Sequence, residues 1–248
     1  MSTNAEIRIG TSGWDFDSWR GSFYPDGLGG EALLPEYAHH FNTVELNNSF
    51  YRLPAQTSVK AWREASPDGF LFSAKASRYL THMKKLKDAG EGLDRFLAAL
   101  APFGSKLGPV LFQLPPRWRV NVGRLTTFLE RLPRGYRYAF EFRDTSWLCD
   151  EVYEILKEYN VALCYYHYKG YRSPPVATAD FVYIRLHGPG EKAYTGSYDG
   201  RTLAGLARRF VNWAREGRDV FCYFDNDDKA CAPRDARRLL DAIHRQKR

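Results

Sequence analysis

Residues 138–147 read Tyr-Ala-Phe-Glu-Phe-Arg-Asp-Thr-Ser-Trp, and their alternation decides how the rest of the chain is read. Phe140 and Phe142 fall on one side of an extended chain, and Ala139, Glu141 and Arg143 on the other, because successive strand side chains point to opposite faces. One side is aromatic and suits packing under helices. The other carries an acid and a base and suits a polar mouth, with a Trp-bearing loop beyond it. That is the pattern of a barrel strand.

Working outward, seven more strand-like runs recur about every thirty residues, at 7–12, 43–47, 70–75, 110–113, 161–165, 181–187 and 220–225. Helical patterns separate them. Leu93, Phe96, Leu97, Leu100 and Ala101 form an apolar stripe at helical spacing, as do Leu203, Leu206, Ala207, Phe210, Val211 and Ala214. Residues 33–41, 59–65, 122–132, 152–159 and 236–243 read the same way. The gap 166–180, with Gly170, Pro174 and Pro175, reads as irregular. Eight strands alternating with seven helices predict an α/β fold, a TIM-like (β/α)8 barrel with one degenerate crossover between strands 6 and 7. The expected domain organisation is a single barrel over residues 1–248.

Composition sets bounds. A length of 248 residues suits one such barrel, and 44% hydrophobic residues can fill its core. The start Met-Ser-Thr-Asn-Ala-Glu lacks a basic region followed by an apolar run, and no stretch approaches the ~18 apolar residues of a membrane span. A cytoplasmic protein with no membrane partner is expected. Cys149, Cys164, Cys222 and Cys231 form no Cys-x-x-Cys pair, which suggests small buried thiols in a reducing compartment. The formal charge of +7 is explained by solvated helix faces, and a nucleic-acid surface is the competing explanation.

Connections from helix to strand are short (42, 66–69, 133–137, 160, 217–219), and those from strand to helix are long (13–30, 48–57, 76–92, 188–201). A barrel carries its chemistry where the long loops gather, at the carboxyl ends of its strands. Alternation puts Ile7/Ile9, Val44/Leu46, Phe70/Phe72, Phe140/Phe142, Val182/Ile184/Leu186 and Val220/Cys222/Phe224 outward. The inward set is Arg8/Gly10/Ser12, Glu45/Asn47, Ser73/Lys75, Leu111/Gln113, Glu141/Arg143, Tyr183/Arg185/His187 and Tyr223/Asp225. Barrel interiors are normally filled by branched apolar residues. A purely structural ion-pair network is a poor reason for inward charge, since each desolvated ion costs several kcal/mol. A ligand or catalytic site is the better one.

The candidate catalytic residues are Glu45, Lys75, Glu141, His187 and Asp225. Glu45 and Glu141 lie three strands apart and are expected to face each other across the mouth, with room for a water between an acid and a base. Salt-bridging to Lys75 and Arg143 is their plain alternative. Lys75 is a candidate Schiff-base amine, and pairing with Glu45 is its competing role. His187 opens His-Gly-Pro-Gly-Glu-Lys, whose glycines let backbone approach a ligand. Candidate substrate contacts are Trp14, Asn47, Arg78, Gln113, Arg143, Trp147, Arg185 and Asn226. Trp14, Trp19, Phe50, Tyr51 and Trp147 fall in mouth loops, where they either stack on sugars or bases or pack a lid.

No HExxH, nucleotide-binding GxGxxG or P-loop pattern occurs, so no motif requires a cofactor. A divalent metal is compatible with the acidic groups, and its ligands are unassigned. The expected partner is a small polar or anionic substrate, phosphorylated or sugar-containing, for a hydrolase or lyase. The alternative is a nucleic-acid-binding module without catalysis, using mouth aromatics and basic helices (Arg208, Arg209, Arg215, Arg237, Arg238). Nothing in the sequence signals an oligomeric state.

Several motifs together resemble a known family. They are Ile-Gly-Thr-Ser-Gly-Trp (9–14), Thr-Val-Glu-Leu-Asn-Asn-Ser-Phe-Tyr-Arg (43–52), Phe-Ser-Ala-Lys-Ala-Ser-Arg (72–78) and Thr-His (81–82). Phe-Gln-Leu-Pro-Pro (112–116), Glu-Phe-Arg (141–143) with Ser-Trp (146–147), Arg-Leu-His-Gly (185–188) and Tyr-Phe-Asp-Asn (223–226) complete the set. In order along nearly the whole chain, they resemble the YecE-like proteins, domain-of-unknown-function family 72. The resemblance implies a TIM-like barrel and a family without an established activity. The family more often has Asn where Asp225 stands. It commonly has an acidic residue near the end of the sixth strand, where this chain has Tyr166-His167. The likeness of its barrel to phosphodiester-cleaving endonucleases is a fold-level analogy.

Overall fold

The computed structural model describes residues 5–246. Its strands are β1 (Ile7–Thr11), β2 (Thr43–Leu46), β3 (Leu71–Lys75), β4 (Leu107–Leu114), β5 (Tyr138–Phe142), β6 (Ala162–Tyr168), β7 (Tyr171–Arg172), β8 (Phe181–Leu186) and β9 (Asp219–Phe224). Seven α-helices accompany them: α1 (Leu33–His40), α2 (Gln56–Ala65), α3 (Gly90–Leu100), α4 (Val122–Leu129), α5 (Asp150–Glu158), α6 (Gly200–Arg215) and α7 (Cys231–Gln246). Hydrogen-bonded neighbours run β1-β9-β8-β6-β5-β4-β3-β2, all parallel. This is a nearly closed TIM-like barrel.

Between β6 and β8 there is no helix among the described residues, as the prolines and Gly170 predict. The strand itself runs further than expected, to Tyr168, and turns back through β7, which pairs antiparallel with it (His167 with Arg172, Tyr168 with Tyr171). Those extra residues carry Tyr166 and Tyr168 up the inner face to the mouth.

Two separate apolar cores follow from the alternation. Ile9, Val44, Phe72, Phe140, Phe142, Ile184, Cys222 and Phe224 join the core between strands and helices. Leu111, Ala139, Ala162, Cys164, Tyr183, Phe221 and Tyr223 form a smaller one inside the ring. Each fully buried Phe, Leu or Ile contributes about 1.5–3 kcal/mol, so the outer core supplies most of the stabilisation and the inner one sets the bore. Inside, the Tyr223 hydroxyl lies 2.8 Å from Thr43 Oγ1 and 2.6 Å from Ser73 Oγ. These bonds join β9 to β2 and β3 across the barrel.

The ring closes between β1 and β2 through a single bridge, Ser12 to Glu45, where Gly13 N donates to the Glu45 carbonyl at 2.8 Å. Below it the Tyr37 hydroxyl of α1 stands in for the missing ladder, accepting from Thr11 N at 2.8 Å and donating to Thr43 O at 3.1 Å. Gly10 makes this possible, since a Cβ there would overlap the Thr43 carbonyl and crowd the Tyr37 hydroxyl. The seam sets Ser12 and Glu45 side by side at the top.

Arg8 stands apart from the other inward charges. It points inward as its parity requires, but at the amino-terminal end, so it cannot join the mouth charges. Its Nη1 donates to Gly69 O at 2.8 Å and Asn42 O at 3.4 Å, and it pairs with Glu6. A surface cavity of about 720 Å³ opens beside it, lined also by His39, His40 and Asp68. Among the described residues no helix is long and apolar enough to cross a membrane.

Candidate active site at the carboxyl-terminal mouth

Arg185, 1% exposed on β8, is the centre of the mouth. Its Nε donates to both Glu45 oxygens at 3.1 and 2.9 Å, and its Nη2 to Glu45 Oε1 at 2.8 Å. Nη2 also reaches Asp225 Oδ2 at 3.0 Å, and Nη1 reaches Glu141 Oε2 at 3.0 Å. One planar guanidinium therefore serves carboxylates from three other strands or strand ends, a geometry only arginine's fixed fork offers. Glu45 accepts further bonds from Ser12 Oγ and, at 2.6 Å, from the Tyr183 hydroxyl. Asn47 donates to Ser12 Oγ at 2.6 Å and lies 3.4 Å from Arg185 Nη2.

The expected gap between Glu45 and Glu141 is thus filled. Both are 0% exposed, and the space between them holds a guanidinium where a water was anticipated. Burial alone would raise the Glu141 pKa, but Arg143, then Arg185, His187 and Lys75 hold it well below the usual carboxylate range. Arg143, just past β5, pairs with Glu141 and lies over the Tyr168 and Tyr166 rings, 4.0 and 4.9 Å from their centroids.

His187 is held neutral. Its Nε2 lies 3.1 Å from Arg143 Nη2 and 3.2 Å from Arg185 Nη1, so this nitrogen is the acceptor and the proton is assigned to Nδ1. Nδ1 faces Asp225 Oδ2 at 2.9 Å, close but off the N–H axis. Burial, then the Arg185 charge, lowers the His187 pKa against the pull of Asp225.

Lys75 is the exception among these charges. Arg185 has taken Glu45, its expected partner. Among the described residues the Lys75 ammonium forms no ion pair or hydrogen bond, and its one cation contact is the Phe50 ring at 4.3 Å. Desolvation, then repulsion from Arg185, lowers its pKa from 10.5 to about 8. His82 stands edge-on to the same Phe50 ring at 5.0 Å. Burial, then Lys75, Arg78 and Arg143, depresses its pKa to about 4. Tyr168 and Tyr194 stand near the opposite side, edge-on to His187 at 5.5 and 5.6 Å. The mouth therefore has an amine, neutral imidazoles and aromatic rings above a neutralised floor.

The remaining predicted contacts are distributed as follows. Gln113 is in register with Glu141 on the adjacent strand, and Arg78 is exposed on the loop after β3. Trp14 is half-buried, edge-on to Trp62 of α2 at 5.3 Å. Trp147 is corrected outright: it is 0% exposed, stacks on Phe142 at 4.9 Å and donates to Trp118 O at 2.6 Å. It packs the outer core and has no surface to offer a ligand, and fully buried Trp19 has none either. Asn226 donates to Gly196 O at 2.8 Å and Asp235 Oδ2 at 2.9 Å, tying the long loop before α6 to α7. Among the described residues no group of three or more His, Cys, Asp or Glu side chains is disposed to hold a metal ion.

Sequence reading passed over Tyr168 and Tyr194. Tyr168 shares the parity of Cys164 and Tyr166 and was legible once β6 was extended. Tyr194 lies in a loop with no periodicity.

Residues 8–248 match the family model described as "Protein of unknown function DUF72". The Escherichia coli K12 protein YecE is 32% identical over 55% of this chain and 48% of its own, so that match reaches about half the relative's length. YunF of Bacillus subtilis is 26% identical over 96% of this chain and 94% of its own. The crystal structure of a DUF72 family protein from Thermotoga maritima superposes with a TM-score of 0.87 at 28% identity, covering 96% of this chain and 99% of that one.

Proposed function

The chain belongs to the DUF72 family of proteins of unknown function, and from that premise we propose that its mouth is the active site of an enzyme acting on a phosphorylated or sugar-containing substrate. Of the two reaction classes considered, the geometry favours a lyase over a hydrolase. A carboxylate-pair hydrolase needs one carboxyl able to give a proton and another free to activate water. Glu45 and Glu141 are both engaged by arginine, and Glu141 is held ionised.

The carrying observation is Lys75. It is a mostly buried amine without a carboxylate partner, with a pKa lowered to about 8, beside a neutralised cluster. An amine of that kind forms imines with carbonyl carbon near neutral pH. On this reading Arg143 and the exposed Arg78 hold the substrate's anionic group.

Reductive trapping tests the reading. Borohydride added with a panel of phosphorylated and unphosphorylated sugars should leave a covalent adduct on Lys75, found by peptide mass spectrometry and lost in Lys75→Arg. Equal labelling of Lys75 and the surface lysines across the panel would sink it.

A further inference from the structure

The rim of the mouth is divided by charge. Round the ring, β2, β3 and β4 are neighbours on one side, and β1, β9 and β8 on the other. The loops after β2, β3 and β4 (47–55, 76–89 and 115–121) hold seven Lys or Arg against one acid, Asp88. Those after β1, β8 and β9 (12–32, 187–199 and 225–230) hold three against nine acids. Among the described residues none of the seven bases forms an ion pair, whereas exposed bases elsewhere such as Arg20, Lys157 and Arg218 do. Crowding like charges without counterions costs the fold self-repulsion, which an anionic partner relieves.

The basic loops form one continuous lip. Phe50, after β2, stands edge-on to His82, after β3, at 5.0 Å, and Arg124 at the start of α4 donates to Lys85 O at 3.3 Å. Lys85 and Leu86 hold left-handed backbone, with φ of 47° and 64°. Leu86 is tucked in at 3% exposure, while Lys85 and Lys87 stay exposed on either side of it. Between this loop and α4 a cavity of about 270 Å³ is lined by Lys87, Arg124, Thr127 and Arg131, with Asp88. Three cations and a hydroxyl suit phosphate oxygens.

Open rings are interleaved with these charges. Six large hydrophobic side chains are well exposed among the described residues, and three of them stand on the lip: Tyr51 (75%), Met83 (67%) and Tyr79 (42%). Lys84 Nζ lies 5.7 Å from the Tyr79 ring centre. Single-stranded nucleic acid uses both features, its phosphates meeting the cations and its unpaired bases stacking on the rings. A duplex hides its base faces, and an acidic peptide has none. A membrane-surface element presents a continuous apolar face, which these loops lack. We propose that this lip binds single-stranded nucleic acid, with phosphates on its Lys and Arg side chains and bases on Tyr51 and Tyr79. The acidic half of the rim confines the strand to that side. Such binding does not depend on Lys75 or on imine chemistry.

Labelled oligouridylate and oligothymidylate of about 15 nucleotides, long enough for a site of this class, are titrated with the full chain by fluorescence anisotropy. Strands should bind at low salt and weaken steeply as salt rises. Lys85→Glu with Lys87→Glu should weaken binding by at least about tenfold. Tyr51→Ala should weaken it about tenfold and Tyr51→Phe should leave it unchanged, because stacking needs only the ring. These positions are exposed, so melting temperatures should match the wild type. Arg208→Glu with Arg215→Glu makes the same charge change on α6 and should cost about twofold at most. No binding at low salt overturns the proposal, and so does equal weakening by the α6 pair, which would leave net charge as the attraction. A duplex, a polyglutamate peptide or phosphatidylserine vesicles binding as tightly as the strands would overturn it by naming another occupant. With the lip variants weakened as stated, the tighter of the two strands identifies the sugar, and either preference upholds the proposal.

Discussion

At the amino-terminal end of the barrel, Arg8 gives its hydrogen bonds to the Gly69 and Asn42 carbonyls, and Arg137 pairs with Asp219 while resting over Phe181 and Phe221. At the other end Arg185 gives nearly everything to side chains: Glu45, Glu141, Asp225, His187 and Ser12. The same inward parity produces both. The amino-terminal charges are partly exposed and end on backbone, an acid at the rim and aromatic faces, arrangements that hold a strand end in place. The mouth gathers three cations (Arg185, Arg143, Lys75) against three carboxylates (Glu45, Glu141, Asp225), most of them buried. Packing does not require such an investment, since hydrophobic residues of similar volume serve a core as well or better. The contrast is the observation on which the proposed active site rests.

Breaking that contrast most severely, Arg185→Leu should destabilise the protein by about 3–5 kcal/mol, because three buried carboxylates lose their shared counterion; urea unfolding measures it. A loss below 1 kcal/mol would mean the network is decorative. Lys75→Met should act the other way, raising stability near neutral pH by about 1–3 kcal/mol while abolishing adduct formation.

The pH dependence sharpens this. The folded Lys75 pKa of about 8 lies below its ordinary 10.5, so between those values the unfolded chain binds more protons and stability rises with pH. Lys75→Met should remove that rise, read as melting temperature against pH. Asp227 has the opposite sign. With burial, then the Asp225 charge, raising its pKa from 3.8 to about 9, its contribution is full below the unfolded value and lost as pH climbs through the folded one. Asp227→Asn should flatten that decline. At the amino-terminal end Arg8→Leu should cost only about 1–2 kcal/mol, the worth of a few part-exposed hydrogen bonds. An effect as large as that of Arg185→Leu would erase the distinction between the two ends.

How much of this was legible depended on what each residue's neighbours had to do. Period-two alternation set Phe140 and Phe142 against Glu141, and the long strand-to-helix loops chose the working face; both are local properties of the chain. Trp147 was misplaced because a loop aromatic looks the same in sequence whether it stacks on Phe142 or on a ligand. Lys75 was paired with Glu45 because their strands are adjacent. Only the closed ring brings β8 across to β2, where the N–H donors of Arg185, fixed in one plane, outcompete a lysine for Glu45.

The amino-acid sequence by itself determined the barrel, its inner and outer faces, and the end at which charge converges, because all three follow from periodicity along one strand at a time. Tertiary structure alone decided which charges cancel and which amine is left without a partner. Those are questions of distance between groups on different strands. In a desolvated mouth the choice of partner sets which ion is neutralised and which is left with its charge uncompensated.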